Sequence, residues 1–385
     1  MLTKMDDYPR HQAVATMAHV AVPHPSWNDG YWFSAWDPKG ELFVFTGMRV
    51  YQNADVMDGY ACYTRGGRHV NVRVSRRYSP RYDDLSVGPL GYEIIEGLKR
   101  RRLRLDGEGH EGDLAFDLLW EAVAAPYEES RRTQRVEGRL SLDIIRYWQL
   151  GRATGWIRIG DERIEIPAPG WYGGMDHSWG IRPIMGPKSA TGDLPPVAPL
   201  PPGKDGLFRL AVLFRMPDHA GFFHTHEDAS GHIDWFEGRL DFNDGTSAEL
   251  AKVEHHFRYR EGSRSFDRGH YVLTDVHGRT WKHDVVVTHD PIEPEAIGYY
   301  PGFRDGRGSG VYRGDLMTEH DVWTYTDREL IDPQGRRRIR NGWVGPARLL
   351  DGSGEGVAWF EHLINGSNRR YGLAADAPVP VAVIV

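Results

Sequence analysis

The densest group of reactive side chains in this chain of 385 residues lies within residues 169–182. One carboxyl, one imidazole and one guanidinium group are interleaved there with three aromatic rings: Asp176, His177, Arg182, Trp171, Tyr172 and Trp179. Aromatic rings that shield a carboxyl group from water raise its pKa, so the group can stay protonated near neutral pH and act as a general acid. The faces of the same rings can stabilise a developing cation. The segment therefore indicates a candidate general acid, Asp176, in aromatic surroundings.

The same segment also has a purely structural interpretation. Asp176 and Arg182 carry opposite charges and can form an ion pair that closes a turn between two domains. Trp171 and Trp179 would then belong to the hydrophobic core. The residue types alone leave both interpretations open.

A second candidate cluster lies in residues 222–228, Phe-Phe-His-Thr-His-Glu-Asp. If these residues form a strand, His224 and His226 point to the same face of the sheet. A His-x-His pair near a carboxylate is half of a metal site in cupin-type barrels, but the only nearby acids, Glu227 and Asp228, follow immediately. We therefore expect hydrogen-bonded histidines near the mouth of a pocket and no metal required for function. A metal-dependent β-barrel enzyme that uses His224 and His226 remains an alternative.

The elements that must hold these side chains are strands. Most apolar stretches alternate with polar residues or run for four to eight residues between turn signals, and few have the spacing of a helix. Residues 156–159 and 163–166, for example, alternate strictly on both sides of a Gly-Asp-Glu turn. The 45 Gly and 24 Pro, beside 13 Trp, 18 Tyr and 14 Phe, are typical of pleated strands joined by tight turns. We predict an all-β fold of two tandem lipocalin-like antiparallel β-barrels or curved sheets.

The proline-rich residues 188–205 predict a linker or long loop between the two halves. We expect an N-terminal β domain in residues 1–187 and a C-terminal β domain in residues 206–385.

Composition excludes several classes of function. The net charge is −7 and no long basic run occurs, so nucleic acid is not an expected partner. No window approaches the 18 apolar residues of a membrane span, and one cysteine, Cys62, cannot form an internal disulfide. The sequence has no phosphate-binding loop, no His-Glu-x-x-His and no Gly-x-Ser-x-Gly motif. We expect a cytoplasmic protein without an integral membrane segment and without a cofactor.

Residues 176–180, Asp-His-Ser-Trp-Gly, resemble the Asp-His-x-Trp-Gly segment of the AttH-like and carotenoid 1,2-hydratase (hydroxyneurosporene synthase) superfamily. Members of that superfamily are tandem lipocalin-like barrels, and the chain length, the β-rich halves and the order of elements agree with such a fold. The segment is also similar to the Arg-Asp-His-Ser-Trp-Gly-x-Arg string of an uncharacterised bacterial branch, with Met175 in place of the first Arg.

The resemblance implies acid-initiated hydration, isomerisation or cyclisation of an isoprenoid or another lipid-like alkene. It implies Asp176 as the acid, and His177 as the group that orients Asp176 or handles the proton of water. Trp171, Tyr172, Trp179 and Arg182 of the same segment would bind the substrate. His224 and His226 are secondary candidates for substrate binding from their local chemistry alone. A non-catalytic lipocalin-like carrier of lipids or terpenoids is the alternative. The two functions share an apolar ligand and differ in whether an acid faces the pocket.

Overall fold

The computed structural model describes residues 2–107, 113–136, 138–182, 206–299, 302–326, 329–340 and 342–374. In these ranges the only helices are two short 3₁₀ turns, Lys4–Asp7 and Gln52–Ala54. The strands form one large antiparallel sheet and one closed antiparallel barrel. The predicted all-β class is confirmed.

In chain order, the described strands are β1 (Trp27–Trp36), β2 (Phe43–Tyr51), β3 (Val56–Arg65), β4 (Arg68–Arg77), β5 (Ser86–Val87), β6 (Leu90–Glu96), β7 (Arg100–Leu105), β8 (Leu114–Ala122), β9 (Tyr127–Glu128), β10 (Arg132–Val136), β11 (Arg139–Ile159), β12 (Glu162–Ile181), β13 (Gly206–Arg215), β14 (His219–Asp228), β15 (Ile233–Phe242), β16 (Ser247–Tyr259), β17 (Phe266–Asp275), β18 (Thr280–Val287), β19 (Leu316–Tyr325), β20 (Glu329–Ile331), β21 (Arg337–Ile339), β22 (Trp343–Asp351) and β23 (Gly354–Gly366).

Fifteen of the described strands form the large sheet, in the order β21-β20-β19-β4-β3-β2-β1-β12-β11-β8-β7-β6-β5, with β9 and β10 also paired to β11. The long strands β11 and β12 form a hairpin whose turn is at Gly160 and Asp161. The sheet curls until β3 packs against β5, β6 and β8. One face of the curled sheet therefore encloses its own apolar core, which includes Phe33, Val44 and Phe116.

The remaining eight strands close into a barrel, in the order β13-β14-β15-β16-β17-β18-β22-β23. Alternate residues of β13 point inward, so Phe208, Val212 and Phe214 join the barrel core. Their neighbours in the strand point outward, toward the large sheet. The alternating pattern thus produces two buried faces from one strand.

A third apolar core lies between the curled sheet and the barrel. The outer face of the sheet contributes Trp32, Phe45 and Trp148, and the barrel contributes Phe222 and Trp359. The ring of Trp359 stacks on Phe45 with centroids 5.4 Å apart, and it lies 4.7 Å from Trp32. This aromatic core joins the two units and forms the floor of the site described below.

The predicted domain limits remain a prediction, because residues 188–205 lie outside the described residues. The hydrogen bonds show, however, that the second half contributes strands to the sheet of the first half: β19 pairs with β4, and β20 and β21 continue the sheet beyond β19. Within the described residues, no helix has the length and hydropathy needed to cross a bilayer.

Candidate functional site

Asp176 lies in the middle of β12, near the centre of the large sheet. Its register partners are Trp32 on β1 and Trp148 on β11, and all three side chains point to the face that the barrel covers. The glycines around Asp176 permit this close packing. A Cβ at position 173 would lie 1.9 Å from the carbonyl oxygen of Ser34, and Gly180 has a φ of +127°. The segment predicted to close a turn between domains is therefore a central strand.

The carboxyl group of Asp176 is buried beside Arg146. Its Oδ2 lies 3.2 Å from Arg146 Nε, and the side chain is 4% exposed. Within the described residues, neither its Oδ1 nor Arg146 Nε has a hydrogen-bond partner. One oxygen of the carboxyl group is thus ion-paired to Arg146, and the other is available to a ligand.

Arg182, the partner that sequence analysis considered for Asp176, is also buried, but its hydrogen bond goes to Ser178. Ser178 Oγ accepts from Arg182 Nη2 at 2.9 Å and from Arg49 Nη2 at 3.0 Å. Arg49 Nη1 donates to the side chain of Asn28 at 2.6 Å. Nε of Arg182 has no hydrogen-bond partner in the part of the chain that the structure describes. Ser178 therefore positions two guanidinium groups, of which Arg182 faces the cavity.

A cavity of about 150 Å³ separates the sheet from the barrel beside Asp176. Its described lining consists of Trp32, Phe45, Arg146, Asp176, Arg182, Arg209, Ile292, Pro294, Ile297, Tyr299, Val344, Glu361 and Leu363. One wall is thus apolar or aromatic, and the other is ionic. On the barrel side, Arg209 donates to Glu361 at 2.9 Å, while its Nε has no hydrogen-bond partner among the residues described.

Burial and charge act in opposite directions on the groups of this ionic wall. Burial raises the pKa of Asp176, although the Arg146 and Arg182 guanidinium groups oppose the rise. Burial, reinforced by Arg146 and Arg49, lowers the pKa of Arg182 to about 9, which still leaves it charged at neutral pH. Three arginines therefore face two carboxylates around the cavity, and the ionic wall has a cationic excess.

The two predicted histidines of β14 connect to Asp176 through a chain of polar contacts. His226 Nε2 lies 3.1 Å from His224 Nε2, and His224 Nδ1 lies 2.8 Å from Glu129 Oε1. Glu129 Oε2 is 3.9 Å from Arg146 Nε, which contacts Asp176. Burial lowers the pKa of both histidines well below the usual value, so both rings are neutral. Glu129 lies at the nitrogen of His224 that faces away from His226, so the three groups form a chain and do not converge on one point.

The structure places the other predicted residues away from the cavity. His177 points to the opposite face of β12 from Asp176, and its Nε2 lies 2.7 Å from Asp29 Oδ1. Trp179 lies beside His177, with ring centroids 5.1 Å apart. Trp171 packs against the core of the sheet, and Tyr172 lies under the guanidinium of Arg152 at 4.1 Å. None of these four side chains belongs to the described cavity lining.

Arg146, Arg209 and Glu361 were not among the residues predicted from the sequence. Each is a charged residue in a strand whose residues two positions before and after it are apolar, as Trp148 is for Arg146. A search for charges that interrupt the apolar face of an alternating strand would have found all three.

Together, the fold and the site define a class of protein: an all-β protein in which a curled antiparallel sheet packs on a closed barrel, with a carboxylate and arginines in the cavity between them. A Nitrosomonas europaea protein provisionally named AttH has a similar structure, with a TM-score of 0.52 and 13% identity over 87% of this chain and 92% of that chain. Kievitone hydratase from Nectria haematococca matches with a TM-score of 0.46 and 10% identity, over 87% and 88% of the chains. CghA, solved with Sch210972, matches with a TM-score of 0.44 and 11% identity, over 88% and 89%.

The family model of DUF8625, a family of unknown function, matches residues 2–374. The chain therefore belongs to this family. No curated protein matches the sequence. The resemblance to AttH-like proteins that residues 176–180 suggested is confirmed for the fold.

Proposed function

We propose that this protein is an enzyme that adds water to, isomerises or cyclises an unsaturated apolar small molecule, with Asp176 as the group that exchanges a proton with the substrate. The observation that carries this proposal is that Oδ1 of Asp176 has no hydrogen-bond partner among the described residues and lies at a cavity with one apolar wall and one cationic wall. The raised pKa of Asp176 makes its carboxylate a stronger base than that of an ordinary aspartate.

The charges around the cavity favour one kind of alkene. Arg146, Arg182 and Arg209 would repel a free carbocation, so the aromatic wall would have to stabilise it against their field. The same arginines would stabilise negative charge on an oxygen. We therefore favour an alkene conjugated to a carbonyl group, with the carbonyl oxygen bound by Arg182.

Hydration of such an alkene can be written with this chain's own groups. The Asp176 carboxylate takes a proton from water as the water oxygen bonds to the β carbon. The electron pair of the double bond moves toward the carbonyl oxygen, where Arg182 stabilises the enolate. The Asp176 carboxyl then gives the same proton to the α carbon, so that one water molecule has been added and Asp176 is regenerated.

The size of the cavity limits the part of the substrate that reacts there. A cavity of about 150 Å³ holds a group of roughly the size of benzene, whereas whole drug-sized ligands occupy about 300–1,000 Å³. We infer that the cavity encloses the unsaturated end of a substrate.

The test is a screen of the purified protein against conjugated enones, terpenoids and unsaturated fatty acids in water labelled with heavy oxygen. Hydration gives a product heavier by one labelled water, while isomerisation and cyclisation change retention time without a change in mass. Turnover of a conjugated carbonyl compound that Arg182→Met lowers by about 10²-fold would support the proposal. Binding of apolar compounds without turnover anywhere in the panel would instead favour the carrier.

A further inference from the structure

A second group of buried polar side chains lies inside the barrel, at the end closed by the β13–β14 and β22–β23 turns. His219 begins β14, His283 lies in β18, and Asp351 ends β22. Both histidine side chains are almost completely buried, and that of Asp351 is 12% exposed. The proposed chemistry at Asp176 uses none of the three.

The ligand atoms of this group converge. His219 Nε2 lies 3.2 Å from His283 Nε2, His283 Nε2 lies 3.4 Å from Asp351 Oδ2, and all three atoms lie within 4.8 Å of one another. Ligands at 2.0–2.1 Å from a tetrahedral Zn²⁺ are about 3.3 Å apart. Two of the three separations therefore match those of a tetrahedral site, and a small movement of the carboxylate would complete it.

The surroundings orient two of these three groups, His219 and Asp351, as a metal site requires, whereas Nδ1 of His283 has no hydrogen-bond partner within the described residues. His219 Nδ1 lies 2.7 Å from Asp218 Oδ1, an interaction that places the Nε2 lone pair toward His283. Asp351 Oδ1 accepts from the backbone N–H and the hydroxyl of Ser353, both at 2.7 Å, which leaves Oδ2 directed at the histidines. Carboxylate partners of this kind are typical of metal-binding histidines.

We propose that His219, His283 and Asp351 bind one divalent transition-metal ion, of which Zn²⁺ is the reference, with the fourth position left to water. In the barrel, β14 lies across from β18 and β22, so no backbone hydrogen bond joins β14 to either of these two strands. The ion would therefore connect opposite walls of the barrel. Because 64 residues separate the two histidines, their spacing in the sequence gave no sign of the site.

The contrast with His224 and His226 shows why convergence matters. Their Nε2 atoms are 3.1 Å apart, almost the same distance, but the nearby carboxylate of Glu129 contacts the far nitrogen of His224. Among the described residues, no third ligand lies beside the two Nε2 atoms of that pair. The pair therefore serves as the matched control for metal binding.

The experiment uses the full-length protein, stripped with a chelator, exposed to Zn²⁺ or Co²⁺ and desalted. We expect one Zn²⁺ per chain by elemental analysis, a visible absorption band of tetrahedral Co²⁺, and a Tm higher by about 5 °C with Zn²⁺. His219→Gln and Asp351→Asn should abolish retention, and Asp218→Asn should weaken binding by about 10–100-fold. His226→Gln should retain the ion.

Two results would overturn the proposal. Folded wild-type protein that retains no Zn²⁺ and gives no Co²⁺ band would leave the two histidines as a simple hydrogen bond. Retention that survives both His219→Gln and Asp351→Asn, or that His226→Gln abolishes, would place the ion elsewhere. Circular dichroism verifies folding, and the exposed Asp218 provides a variant whose binding defect does not depend on disturbing the barrel interior.

Discussion

Replacing Asp176 by Asn is the most direct test of the candidate site, because it removes the proton-transfer group and nearly preserves the side-chain volume. Asn cannot deliver or accept the proton at the same oxygen, so turnover should fall by about 10²–10⁴-fold, equivalent to roughly 3–5 kcal/mol of barrier. Ligand binding should remain, because Arg182 and the aromatic wall are unchanged. The assay is turnover per folded molecule on the substrate that the screen identifies.

The same substitution also has a cost in stability that the structure allows us to estimate. Removing one partner of a buried ion pair typically costs about 3–5 kcal/mol. Arg146 keeps Glu129 at 3.9 Å, and the Asn oxygen can still accept a hydrogen bond. We therefore expect a smaller loss, about 2–3 kcal/mol, or a decrease in Tm on the order of 5 °C.

Asp321→Asn is the matched control. The side chain of Asp321 is only 8% exposed, and it pairs with the fully buried Arg73 where β19 joins β4, away from the Asp176 cavity. This variant should lose similar stability and keep its turnover per folded molecule. If folded Asp176→Asn keeps full turnover as well, Asp176 is only a structural partner of Arg146 and is not the proton-transfer group.

Two further predictions concern Arg182 and Glu129, and a third concerns Asp58 in β3, which does not belong to the described cavity lining. Arg182→Met should lower kcat/KM by about 10²-fold if Arg182 stabilises an oxyanion, and an unchanged kcat/KM would remove that role. Glu129→Gln should lower kcat about tenfold without changing KM, because Glu129 contacts Arg146 and not the cavity. Rescue by Glu129→Asp would show that the charge of Glu129 matters. An increase in KM alone would contradict a role of Glu129 through Arg146. Burial raises the pKa of Asp58 to about 6, so the folded state keeps a proton that the unfolded chain releases near pH 4. The free energy of unfolding should therefore fall by up to about 3 kcal/mol as pH rises from about 4 to about 6, and urea unfolding of Asp58→Asn should lack this part of the decrease. A difference in the free energy of unfolding between variant and wild type that stays constant across that pH range would show that Asp58 titrates normally.

The alternating pattern was sufficient to predict the strands, but it does not contain their pairing. The sequence indicated the hairpin around residues 160–162 because both of its strands are local. It could not indicate that β19 returns to pair with β4, since that contact joins segments about 250 residues apart. For the same reason the sequence can mark Arg209 and Glu361 as charges on apolar strand faces but cannot place them beside Asp176, which they reach only through the packing of the barrel on the sheet.

The pleat of β12 also separates residues that seemed to belong together. Adjacent residues of a strand point to opposite faces, so once residues 162–181 form a strand, Asp176 and His177 cannot face one cavity. The sequence motif contains both because β12 is buried on its two faces: Asp176 faces the barrel, and His177 packs between Tyr31 and Trp179 on the other side. The motif therefore combines one residue that faces the cavity with one that does not.

The position of the cavity explains how so many charges can be buried together. Asp176, Arg146 and Arg182 come from the sheet, whereas Arg209 and Glu361 come from the barrel, so neither unit alone buries the complete group. The charges lose their hydration only when the aromatic core around Trp32 and Trp359 brings the two units together. Burial of this core offsets the desolvation of the charges, and its close-packed rings prevent the ionic wall from collapsing into fully paired contacts. Within the described residues, Asp176 Oδ1 and the Nε atoms of Arg146, Arg182 and Arg209 have no hydrogen-bond partners, as rigid packing between the units would produce, and they are the atoms that a polar group of the substrate would satisfy.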